Sequence, residues 1–190
     1  DTDGNGSVDI TTVLSEGESY LVNGNMFSGG TVTSSAPVQV GLITGDICAG
    51  FEARFITLKP TDQWSTSYIN PVATPNNGGA TTAVNNRPTY VHLYNPKNTS
   101  ITVFWETDAG VQGSVSVAAN GTNYIEVPDG TGSRFYTTDD SEFYAIATID
   151  SDPDNTSTGM RNSAHDWGFA LLPESQLSPQ ITLVGFAPGQ

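Results

Sequence analysis

Along most of this chain, apolar and polar residues alternate in short runs broken by Gly, Pro, Asn and Ser. Nowhere do apolar residues recur at a helical period over a useful length. That pattern predicts strands at residues 8–14, 18–23, 30–34, 37–44 and 51–58. After an interruption it predicts more at 89–94, 99–106, 113–117, 122–127, 134–137, 142–149, 167–172 and 180–186. The run 37–44 is almost continuously apolar, as in a strand buried on both faces. Asn23-Gly24 and Asn95-Pro96-Lys97-Asn98 supply turns. Residues 60–68 read as an irregular segment anchored by Trp64 and Tyr68. Residues 71–87 fill with Pro, Asn, Gly and Thr and read as a linker. The fold class is all-β.

The two halves match in order. Gly6-Ser7-Val8 corresponds to Gly113-Ser114-Val115, and Gly17 with Tyr20 to Gly121 with Tyr124. Leu58, Pro60, Gln63, Ser65 and Pro75 recur as Leu171, Pro173, Gln176, Ser178 and Pro188 at one constant offset. This predicts an internal duplication into two related β-sandwich-like lobes, residues 1–80 and 81–190. The second lobe opens with strands at 89–94 and 99–106, for which the first has no counterpart. A sheet missing its opening strands exposes unpaired edge groups and invites another chain. The expected remedy is a strand supplied from outside, by a preceding repeat in a tandem array or by a neighbouring subunit. Either route gives a head-to-tail contact that builds a filament. The alternative is a first lobe that closes on itself.

Composition narrows the setting. Six Lys+Arg against twenty Asp+Glu give a net charge of -14, which repels phosphate backbones and excludes nucleic acid as a partner. Such a surface attracts divalent cations. Thr, Ser, Asn and Gly dominate the polar positions, which fits an extracellular surface. Cys48 is the only cysteine, so no internal disulfide forms. No apolar run approaches the ~20 residues of a membrane-spanning helix.

The opening Asp-Thr-Asp-Gly-Asn-Gly-Ser-Val-Asp spaces the oxygens of Asp1, Asp3, Asn5 and Asp9 as a tight calcium loop does. Residue 12 is Thr, so the glutamate that closes an EF-hand loop is absent; a calcium turn and a merely polar turn both remain open. Asp150, Asp152 and Asp154 repeat the alternation around Pro153 as a second calcium candidate. Asn5, Asn98, Asn120 and Asn155 head glycosylation sequons, with Asn98 and Asn155 in predicted loops.

No catalytic constellation emerges. No serine sits in a nucleophile elbow, and His165-Asp166 on one strand point to opposite faces. Trp64, Trp105, Trp167, Tyr68 and Tyr136 form either a sugar-binding platform or sandwich core, and core is favoured.

The succession Gly17-Glu-Ser-Tyr20, Gly30-Thr-Val-Thr-Ser-Ser-Ala-Pro-Val-Gln-Val40, Gly45-Asp-Ile-Cys48 and Pro60-Thr-Asp-Gln-Trp64-Ser-Thr-Ser-Tyr68 resembles the amino-terminal region of IgGFc-binding proteins. The resemblance covers residues 14–75. It implies a secreted, modular β protein used on microbial surfaces, and it brings no catalytic residues and no immunoglobulin-binding motif. The expectation is a non-enzymatic structural unit of an extracellular filament, fibre or giant surface protein. Copies would join head to tail by strand complementation and be braced by calcium. The alternative is an adhesin module binding carbohydrate or protein.

Overall fold

The computed structural model describes residues 1–24, 26–44, 54–71, 89–128, 130–149 and 167–180. The class is all-β, as the alternation predicts. Among the described residues there are eleven strands: β1 (Gly41–Thr44), β2 (Arg54–Thr57), β3 (Ser67–Asn70), β4 (Thr89–Tyr94), β5 (Ile101–Thr107), β6 (Gln112–Val117), β7 (Thr122–Val127), β8 (Ser133–Tyr136), β9 (Tyr144–Ile149), β10 (Trp167–Ala170) and β11 (Leu172–Pro173). β1 and β2 form an antiparallel pair. β10-β9-β4-β7 make a four-stranded sheet and β11-β3-β8-β5-β6 a five-stranded one. Among the described residues, no helix is long and apolar enough to cross a membrane.

The core lies between the two larger sheets. Val91, Leu93, Ile125, Val127, Ala145 and Ala147 face inward from one sheet, and Tyr68, Ile101, Val103, Val117 and Phe135 from the other. Inward positions alternate with exposed ones, as in β4, where Val91 and Leu93 are buried and His92 is exposed. Phe143 and Leu171 seal the junctions between sheets. Tyr68 is fully buried; its hydroxyl donates to the Phe143 carbonyl (2.7 Å) and accepts from the Ser65 amide (2.9 Å). Asn95 is also buried. Its Nδ2 reaches the carbonyls of Thr99, Val117 and Ala118 at 2.8–3.1 Å, fixing the β6–β7 turn against the β4–β5 turn.

Three expectations change. The irregular reading of 60–68 holds up to Thr66, but its last two residues begin β3, an interior strand between β11 and β8 that the alternation does not predict. Only Gly41–Thr44 of the 37–44 run is a strand. Its residues are exposed or half-buried, and among the described residues β1 pairs with β2 alone. Residues 8–14, 18–23 and 30–34 are not in strands, although their alternation is strand-like. Residues 181–186, in the last expected strand, lie outside the described residues.

The proline turns recur. Pro60 leads into a 3₁₀ turn at Thr61–Gln63, closed by the Trp64 amide on the Thr61 carbonyl at 3.2 Å. Pro173 leads into one at Glu174–Gln176, closed by the Leu177 amide on the Glu174 carbonyl, also at 3.2 Å. Each follows an antiparallel pair, β1–β2 and β9–β10. The halves otherwise differ: residues 89–149 build six strands, whereas residues 1–40 build none among those described.

Candidate functional site

Residues 1–40 form an arm outside the core. Every buried core residue lies at position 56 or later, while eleven large apolar side chains of the arm are exposed. Val13 is 90%, Val8 75% and Leu21 72% accessible. Two legs without regular secondary structure, 8–14 and 18–24, meet at a turn in which the Glu18 amide donates to the Ser15 carbonyl (3.1 Å) and the Ser15 amide to the Glu18 carboxylate (2.7 Å). No strand ladder joins the legs to each other or to either large sheet.

The acidic loop anchors the arm. The Asp1 carboxylate accepts from the amides of Gly4 (2.9 Å) and Gly6 (3.0 Å), and Asp3 accepts from the Asn5 amide (3.1 Å) and Asn5 Nδ2 (2.9 Å). Asp9 reaches back to Thr2, accepting from its amide at 2.7 Å and its hydroxyl at 3.0 Å. Those two bonds, the amide first, hold the Asp9 carboxyl below its ordinary pKa. Backbone bonds from Phe27 to Thr2 (2.9 Å) and from Thr31 to Asp1 (2.8 Å) clamp the loop to the end of the arm. Gly4 has φ +75°, and a Cβ there would meet the Gly29 backbone at 3.0 Å, so the close approach requires glycine.

Carboxylate oxygens of Asp1, Asp3 and Asp9 come within 4.8 Å of one another. Two oxygens on opposite sides of a calcium ion, each at about 2.4 Å, span about that distance. Asn5 joins the group through Asp3 but turns its carbonyl oxygen to the Ser7 amide (2.7 Å). Asp150, Asp152, Asp154 and Asn155 lie outside the described residues. Asn98 and Asn120 are exposed at the turns flanking β5–β6, and Asn5 is exposed within the acidic loop.

Of the aromatic residues expected as platform or core, the four with described side chains do not form one group. Tyr68 is core; Trp64 stacks on Tyr144 (5.1 Å) and meets Tyr94 edge-on (5.8 Å). Trp105 faces the core, whereas Tyr136 stacks on Phe104 (5.8 Å) on the opposite face of the same sheet. Trp167 opens β10. A different group gathers on the outer face of the four-stranded sheet: Tyr90, His92 and Tyr124, with centroids 5.7–6.5 Å apart. Their meeting depends on β4 pairing with β7 in the register His92 to Tyr124. His92 Nε2 lies 3.0 Å from the Thr148 hydroxyl.

At one end of the five-stranded sheet, Asn70, Glu106, Asp108, Ser133 and Arg134 border a shallow depression of about 430 Å³. Arg134 bridges Glu174 (2.9 Å) and Glu106 (3.5 Å) across its rim. Asn70 Nδ2 and Oδ1 and Ser133 Oγ are buried with no hydrogen-bond partner among the described residues.

No protein family, curated protein or solved structure matches this chain, so the resemblance of residues 14–75 to IgGFc-binding proteins rests on its motifs alone.

Proposed function

We propose that this chain is a structural unit of an extracellular filament, fibre or giant surface protein. Copies join head to tail by strand pairing, whether as subunits or as repeats along one polypeptide, and calcium in the acidic loop braces the arm. One observation carries this reading: the arm holds two strand-like legs with exposed apolar side chains and no ladder. Monomers rarely leave so much apolar surface in one place. Burying it releases on the order of 10 kcal/mol, comparable with the 4–15 kcal/mol or so that association costs. The acidic, Thr- and Asn-rich composition fits an extracellular surface.

Sedimentation and electron microscopy at micromolar concentration test the reading. Polymers that dissolve when residues 8–14 are replaced by a polar sequence are the expected result. A monodisperse monomer under all calcium conditions would sink it.

The Tyr90–His92–Tyr124 face favours a second reading, an adhesin module that stacks sugar rings on its tyrosines. A glycan-array signal lost in Tyr124→Ala, with the protein monomeric, would move the assignment there.

A further inference from the structure

The two large sheets end in four edge strands, and these are protected unequally. β11 is two residues long and ends in Pro173. β10 lies against β2, where the Ile56 side chain comes within 3.1 Å of the position a Cβ would take on Gly168. β6 and β7 are six residues each and, among the described residues, have a ladder on one side only; at the turn end Asn123 spans them, donating to the Ser116 carbonyl and accepting from the Tyr124 amide, both at 2.9 Å. Bare edges recruit another strand unless charge, proline, a bulge or brevity prevents it. β6, Gln-Gly-Ser-Val-Ser-Val, has neither charge nor proline, and β7 carries Glu126 alone. The core is also thinly covered beneath them: Val115 and Trp105 pack against it only partly buried.

Accepting the assembly reading above, we infer that the flank made by β6 and β7 receives residues 8–14 and 18–24 of a second copy. The two parts share a plan. β6 and β7 belong to different sheets and are joined by a turn in which the Gly121 amide meets the Ala118 carbonyl at 3.1 Å. The legs are likewise unpaired with each other and joined by the Ser15–Glu18 turn. One leg therefore extends each sheet. Each leg carries one carboxylate, Asp9 and Glu18, so the partly buried Val115 and Trp105 make the assignment: leg 8–14, with Val8 and Ile10, goes to β6, and leg 18–24 goes to β7. Alternate residues Val8 and Ile10 then cover Val115 and Trp105. The seven exposed apolar side chains of the two legs supply on the order of 700 Å², close to one side of a standard interface at about 800 Å². Donor and acceptor are different surfaces of one chain, so the contact does not close and propagates as a filament.

Cross-linking tests the assignment on full-length chains with Cys48→Ala. Chains carrying Thr11→Cys or Val13→Cys, on the leg face opposite Val8 and Ile10, are mixed with chains carrying Ser114→Cys on the outer face of β6, or with Thr102→Cys on the same face of β5, one strand further in. A covalent pair forming about tenfold faster with Ser114→Cys than with Thr102→Cys is expected. Equal rates, or no pair in a mixture that still sediments as polymer, would overturn the flank as acceptor and leave the assembly reading standing. A mixture that stays monomeric and uncrosslinked overturns both. Ser114→Asp with Ser116→Asp sets a charged edge against the acidic leg. It should weaken association about tenfold or more at an unchanged melting temperature, and unaltered association also refutes the flank.

Discussion

The Asp9 carboxylate holds both the amide and the hydroxyl of Thr2, at 2.7 and 3.0 Å, and so ties the start of leg 8–14 to the start of the chain described here. These bonds favour the ionised form and depress the Asp9 pKa in the folded loop. A depressed carboxylate contributes fully above its unfolded value, about 4, and its contribution fades as pH falls through the lower, folded value. The Thr2 amide proton should therefore keep its shifted NMR resonance down to pH 4 and lose it only in more acid solution. In Asp9→Asn that titration should vanish. A Thr2 resonance titrating at the ordinary carboxylate value would show that the contact is not formed.

Three carboxylates within 4.8 Å repel one another unless a cation lies among them. Calcium at about 100 times its dissociation constant should add about 2.7 kcal/mol, raising the melting temperature by roughly 5–10 °C for a chain of this size. Chelator should reverse the shift. Asp3→Asn removes one charge and leaves the Asp1 and Asp9 contacts in place, and it should weaken calcium binding about tenfold or more. A melting curve indifferent to calcium and chelator would count against an ordered ion in this loop.

Tyr68 is the polar pin of the core. Burial drives its hydroxyl pKa well above the ordinary tyrosine value. Tyr68→Phe leaves the buried Phe143 carbonyl and the Ser65 amide without that partner. A loss of about 2 kcal/mol, or ~4–8 °C in melting temperature, follows. The sign of the pH dependence is fixed: a raised folded pKa gives stability that is complete below about pH 10 and is lost as pH climbs toward the folded value. Wild-type protein should therefore weaken in alkali more steeply than Tyr68→Phe. Parallel alkaline profiles would contradict this.

How much of this was legible in the sequence depends on where each strand's partner lies. Thr122–Val127 is readable because one face is buried and the other wet, so its alternation survives in composition. Ser67–Asn70 is not, because its inward positions are Tyr68 and Asn70, which leaves one apolar residue to mark a period of two. The legs 8–14 and 18–24 carry the alternation without the ladder, since pairing is a property of two segments and only one is visible in a local pattern. The acidic loop is local, and its clustering of Asp1, Asp3 and Asp9 follows from spacing alone. The Tyr90–His92–Tyr124 group is not local, because cross-strand register brings β4 and β7 together.

Asn70 gives a test of how the core tolerates polarity. Its side chain is 1% exposed, and neither Nδ2 nor Oδ1 has a hydrogen-bond partner among the described residues, beside a Ser133 Oγ in the same condition. Each unmet buried group costs about 1–3 kcal/mol, whereas an apolar side chain of similar shape leaves no such debt of hydrogen bonds. Asn70→Leu should therefore stabilise the fold by about 1–2 kcal/mol, a rise of roughly 2–8 °C for a chain of this length. Ser133→Ala should give a smaller gain in the same direction. The neighbouring Glu106–Arg134–Glu174 bridge lies on the outer rim and should be unaffected, so Arg134→Gln is the control and should shift stability by less than about 1 kcal/mol. If Asn70→Leu instead lowers the melting temperature, the amide is satisfied by solvent or ligand entering the depression, and this account of an unmet polar pair fails.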